Sequence, residues 1–171
     1  MRLSSKQLGL IAAGGSAVLL LAAFLFQAAG YAPCAMCIWQ RYPHAIAIAI
    51  GVLLMVGLPI LLLLMAGAAA AFVTAGIGMF HTGVERGWWE GPTACTGSGL
   101  DMSNLLASDL LPSASSAPST LVMCDEVAWE FLSLSMASWN ALWSFVLAGL
   151  WILALAKAWR ASRSDESVTA V

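Results

Sequence analysis

Cys34 and Cys37 stand three apart in Pro33-Cys34-Ala35-Met36-Cys37-Ile38-Trp39-Gln40-Arg41, and Arg41 follows the second by four. Two thiols at this spacing can close a small disulfide ring that an attacking thiolate readily opens. They can equally supply half of a metal site. A helix starting near Cys34, after Pro33, would set its N-terminal amides against the sulfurs and favour a thiolate. On that helix Cys37 and Arg41 would share a face. The guanidinium could then hold a thiolate or an anionic cofactor. It could also snorkel and merely anchor a membrane span.

Two more cysteines, Cys95 and Cys124, have 28 residues between them. Closing such a ring would remove unfolded-chain entropy worth about 3–4 kcal/mol, which argues for a structural staple. The Ser/Ala/Pro-rich stretch from Pro112 to Thr120 argues the other way. It reads as a flexible linker that would let Cys124 move relative to Cys95, as thiol–disulfide exchange requires. His81 could donate to or protonate a cofactor oxygen, or pair with Glu85 one turn on. His44, one turn from Arg41, reads as a packing or interface residue.

The surrounding chain must position these groups. Of its 171 residues, 61% are hydrophobic and 9% charged, against about 25% charged in a soluble domain. With a mean hydropathy of +0.87, the chain reads as an integral membrane protein. No basic patch exists, so nucleic-acid binding is excluded.

A span needs roughly 20 apolar residues to cross a ~30 Å hydrocarbon core. The run from Leu8 to Ala29 supplies the first. Ala28-Ala29-Gly30 would suit signal cleavage, but the run is too long for a signal peptide and further spans follow. From Tyr42 to Val84 there are 43 residues without Asp, Glu, Lys or Arg. As one helix they would reach about 65 Å, so the run must fold back, and Gly57-Leu58-Pro59 is the natural break. That gives spans over about 38–56 and 60–82, an antiparallel pair joined by a very short turn. Pro43 should kink the second span or mark its regular start. Gly67, Ala68 to Ala71, Ala75, Gly76 and Gly78 give the third span a small-residue face. A fourth span runs over about 139–156, with Ser138 as a plausible N-cap.

The predicted fold is therefore an all-α four-transmembrane-helix bundle, a single membrane domain over 1–171. Its two loops lie over about 30–41 and 83–136, the second long and acidic. Within that loop Leu100 to Leu111 could form a helix lying on the membrane surface, or an ordinary loop helix. Arg2 and Lys6 precede the first span, and Lys157, Arg160 and Arg163 follow the last, while each cysteine loop holds one basic residue. The positive-inside rule puts both termini in the cytoplasm. All four cysteines then face the far side, in a bacterium the oxidising periplasm.

Two exchangeable pairs on one membrane face suggest an electron relay. The chain has no haem, flavin, nicotinamide or iron–sulfur motif to accept the electrons. A lipid-soluble quinone needs no such motif.

The stretch Pro33 to Arg41 resembles the first loop motif of the bacterial disulfide bond formation protein B (DsbB) family, a quinone-dependent thiol oxidase family of the inner membrane. His81-Thr82-Gly83-Val84-Glu85 through Gly91-Pro92-Thr93-Ala94-Cys95 resembles the approach to its second loop. Cys124-Asp125-Glu126, followed by Trp129 to Met136, resembles the exit into the last span. The resemblance covers nearly the whole chain in order. It implies that a periplasmic DsbA-like thioredoxin-fold protein attacks a Cys95–Cys124 disulfide through Cys95. Cys124 would then attack Cys34 of a Cys34–Cys37 pair. Cys37, released as a thiolate, would form a charge-transfer or covalent adduct with ubiquinone (or menaquinone), with Arg41 and His81 beside it. No metal is expected.

Two other readings stand beside this one. A vitamin K epoxide reductase-like protein also couples cysteines to quinones, but its Cys-x-x-Cys lies near a later span. A membrane metal-binding or transport protein would need a second close ligand cluster or acids within the spans. The sequence has neither.

Overall fold

The computed structural model describes residues 3–92 and 123–169. Cys95, the region from Leu100 to Leu111 and the linker from Pro112 to Thr120 lie outside the described residues. Four helices long and apolar enough to cross a membrane make up nearly all of the rest.

Helix α1 spans Ser5–Ala28. Ser4 caps it, accepting from Gln7 N while the Gln7 side chain accepts from Ser4 N, a reciprocal capping box. Helix α2 spans Ala35–Val56. It begins three residues before the expected span because Cys34 itself is the N-cap, its sulfur accepting from Cys37 N at 3.3 Å. Pro43 therefore lies inside α2, where it leaves one carbonyl of the preceding turn without its helical partner. Gly57 ends the helix at φ 89°, a left-handed cap that a side chain would oppose. Helix α3 starts at Ile60 and runs to Glu85, so His81 lies in its last turns rather than at its margin.

The chain then returns through a two-residue hairpin, β1 Glu130–Phe131 paired with β2 Leu134–Ser135. Its turn residues Leu132 and Ser133 take φ values of 52° and 59°, the hand that matches the twist of tight hairpins. No turn dipeptide marked it in the sequence. Helix α4, Met136–Thr169, follows directly. Its cap is Ser135, whose Oγ accepts from Ser138 N at 3.2 Å, not Ser138 as the sequence suggested.

Each helix packs on its chain neighbours, and α4 closes the ring against α1. Small residues let the backbones approach, since packing rather than hydrophobic transfer holds helices together in lipid. A Cβ on Gly67 would lie 2.6 Å from the Trp151 ring, and one on Gly51 would lie 2.4 Å from Ala13. Trp151 is fully buried and fills the centre with Leu54 and Leu64. The small face of α3 uses Gly67, Ala68, Ala70, Ala71, Ala75 and Gly78. Ala69 and Gly76, also expected on that face, are exposed.

Candidate active site

One end of the bundle carries a second buried cluster made of Cys34, Met36, Val84 and Cys124, with Ala35 and Cys37 packed against it. The loop before α2, the first turn of α2, the end of α3 and the segment leading to the hairpin thus meet there. Three of the four sequence-predicted cysteines are brought together.

The Cys34 thiol donates to Cys37 Sγ at 3.0 Å. Its sulfur also lies 3.5 Å from His81 Nε2. The adjacent Cys37 sulfur and burial push the Cys34 thiol up to about 12, against the opposing pull of His81. Its proton is thus held and directed at Cys37. In the reduced protein, iodoacetamide at about pH 8, where an ordinary thiol is partly ionised, should leave Cys34 a minor adduct. Labelling should rise only as the pH approaches 12, because the thiolate is the nucleophile. Mass mapping of the adducts checks this, and labelling at pH 8 as fast as an exposed thiol would contradict it.

His81 is buried and held by three groups besides Cys34. Its Nδ1 lies 3.0 Å from Gln40 Nε2, its Nε2 lies 3.8 Å from Glu85 Oε1, and the Cys124 main chain bonds it as well. The i+4 pairing with Glu85 and the contact with a cysteine therefore coexist. Glu85 in turn accepts from Ser135 Oγ. Ser135, Ser138 and Thr82 continue that chain, tying the end of α3 to the start of α4.

Gln40 was not singled out in the sequence, yet it is the hub of a buried network. Its Nε2 also donates to Met36 O at 3.2 Å, and its Oε1 accepts from Asn140 Nδ2 at 2.6 Å. Asn140 Oδ1 meets His44 Nε2 at 2.9 Å, and Thr74 Oγ1 touches both His44 and Asn140. Polar residues at this depth are costly unless they pair, and they mark function by default. Gln40, His44, Thr74 and Asn140 inside apolar spans were the available signal.

Arg41 shares the cavity wall with Cys37 and is anchored to α1. Its Nη1 donates to Gln27 Oε1 at 2.7 Å and its Nη2 to Ala23 O at 3.4 Å, both on α1. The guanidinium also sits 4.8 Å from the Phe24 ring centre. Arg41 Nε is buried without a hydrogen-bond partner among the described residues.

These groups line one cavity of about 180 Å³. Cys34, Cys37, Arg41 and His81 form part of its wall, and Gln40, His44 and Asn140 another part. Leu19, Leu20 and Phe26 of α1 supply an apolar side. Two unpartnered buried polar atoms, Arg41 Nε and His44 Nδ1, belong to residues of this wall. That suits a flat apolar head group bearing oxygens. The two sulfurs and the His81 ring also lie within 4.8 Å of one another, close enough for one soft cation to span them.

Residues 5–154 match the family model described as Disulfide bond formation protein DsbB. No curated protein and no solved structure matches the chain significantly. The match takes in the first three helices, the cysteine cluster and most of the last helix, and the chain belongs to the DsbB family: it is a multi-pass membrane oxidoreductase of disulfide bond formation.

Proposed function

We propose that the protein reoxidises a periplasmic DsbA-like dithiol protein and delivers the electrons to a membrane quinone, ubiquinone or menaquinone. The observation that carries this reading is the placement of Cys34, Cys37 and His81 on the wall of a cavity beside Cys124. A bound quinone would supply a two-electron, two-proton acceptor. The partner's two thiols lose two electrons and two protons in forming their disulfide, so the reaction balances without another reactant.

The chain's own residues divide the work. Cys95 takes the partner's attack, and Cys124 passes the exchange to Cys34, its neighbour in the buried cluster. Cys37 becomes the leaving sulfur when Cys34 is attacked, and the helix N-terminus around it favours that charge. Arg41, held by Gln27, keeps a fixed positive charge beside the cavity. His81 orients Cys34 and is itself oriented by Gln40. The distribution of basic residues supports an inner-membrane location with both termini cytoplasmic and the cysteine end periplasmic.

Anaerobic mixing of the purified protein with a reduced DsbA-like protein and a short-chain ubiquinone tests this. Quinone absorbance should be lost in step with partner thiols, one quinone for each dithiol. Thiol loss without quinone reduction, or no reaction of either, would sink the proposal.

A further inference from the structure

We infer that His44 is a proton-transfer residue serving the quinone oxygen farther from Cys37. The inference rests on the quinone-oxidase reading above. Quinone reduction must place one proton on each of two oxygens at opposite ends of the ring. The cavity carries polar groups in two places. One is the sulfur pair with His81. The other is His44, seven residues past Cys37 on α2, about 10 Å further along the helix at 1.5 Å per residue.

The hydrogen bonds around His44 fix its tautomer. Asn140 Nδ2 is committed to Gln40 Oε1 and Thr74 Oγ1, which leaves Asn140 Oδ1 as an acceptor. His44 Nε2, 2.9 Å from that oxygen, must therefore carry the proton and donate. Nδ1 is left with its lone pair. It is buried, on a residue only 3% exposed, and has no hydrogen-bond partner among the described residues. Buried imidazole nitrogens are ordinarily satisfied. This one belongs to a ring that lines the cavity, and a group admitted there is its inferred partner.

The proton count closes. Nδ1 takes up one of the two protons that the partner's thiols release, then gives it to the distal oxygen. The ring returns to the Nε2–H tautomer that Asn140 holds, so His44 ends as it began. The second proton reaches the oxygen near Cys37. Asn140 and Thr74 are positioning residues here. Among the described residues, the other charged or titratable groups facing this space are Arg41 and Cys37 on α2, His81 and Glu85 on α3, and Tyr31, Cys34 and Glu126 on the adjoining loops. The face of α1 that lines it supplies none.

The test compares wild type, His44→Gln and His44→Phe with a reduced DsbA-like protein and short-chain ubiquinone between about pH 5 and 9. Glutamine can still donate to Asn140 but cannot carry a proton. For His44→Gln we expect kcat to fall by about 10²-fold, and one ionisation to vanish from its pH profile. KM for quinone should change little in this variant and rise in His44→Phe, which loses the contact as well. Exchange between the partner and the protein's disulfides, measured without quinone, should fall far less than kcat in His44→Gln, which keeps the bond to Asn140. Full rescue by glutamine, in rate and in pH profile, overturns the inference and leaves His44 a positioning residue. Should one variant fail to fold, the other decides: an unchanged kcat with an unchanged pH profile in it overturns the proposal. If wild type reduces no quinone at all, the oxidase reading fails instead, which is a distinct result.

Discussion

Cys37→Ser should cut quinone reduction by a reduced DsbA-like protein by at least about 10³-fold, because in the proposed relay it removes the sulfur that leaves Cys34 on the cavity wall. Serine matches cysteine in shape but forms no disulfide. Cys34 would then have no ring to open, and Cys124 no electrophile to attack. The fold should survive the change. Cys37 lies at the edge of the buried cluster, and the Gln40–His81–Asn140 network bypasses it. Cys34 keeps its contact with His81. The measurement is quinone absorbance with thiol counting, with a thermal melt of the purified variant alongside. Turnover within tenfold of wild type would mean that the electrons take another route, and the pair would lose its assigned role.

The four spans were legible because run length alone decides them in a chain this apolar. The break at Gly57 to Pro59 was legible because glycine and proline punctuate a helix whatever surrounds them. Helix ends were harder. Cysteine is not among the usual N-caps, so only Pro33 pointed to a helix starting near Cys34, and the apolar run alone put the span at about residue 38. The third span was expected to end near residue 82, yet α3 runs on to the charged Glu85. Its carboxylate stays on the helix because Ser135 and His81, distant in sequence, meet it there. Ser135 also displaces Ser138 as the cap of α4, a choice made by the hairpin before it.

The site divides along the same line. Cys34, Cys37 and His81 announce themselves by residue type, since few other side chains do redox or proton chemistry. Gln40 and Asn140 do not, because an amide is silent until its partners on other helices are known. Their bond joins residues 100 apart in the chain. His44 read as a packing or interface residue, because its bond to Asn140, 96 residues away, is silent in the sequence. Arg41 points to α1 because Gln27 and Ala23 O offer acceptors that Cys37, one turn away on its own helix, does not outcompete.

That silent amide carries the second large effect. Gln40→Leu keeps the volume of a 5%-exposed side chain but removes every bond it makes. Two polar groups, His81 Nδ1 and Asn140 Nδ2, lose a partner, and Met36 O loses its second donor. Orphaned buried groups in water-soluble proteins cost about 1–3 kcal/mol each. Inter-helix bonds in membranes average nearer 0.6 kcal/mol, since the separated helices also find partners. The water-soluble scale puts His81 and Asn140 alone at several kcal/mol, and the membrane scale puts all three bonds near 2. The Met36 carbonyl belongs to α2's own ladder and should cost least. We therefore expect a loss of about 2–4 kcal/mol, read as a lower thermal or denaturant midpoint of the detergent-solubilised protein. Activity should fall further than stability explains. His81 would be free to turn, and Cys34 would lose the fixed contact that orients it. Gln40→Glu separates the two effects. A protonated carboxyl keeps the Oε1 acceptor for Asn140 and can donate to His81 Nδ1, so it should restore most of the stability. Equal loss in the leucine and glutamate variants would show that volume and shape at this position matter and the bonds do not.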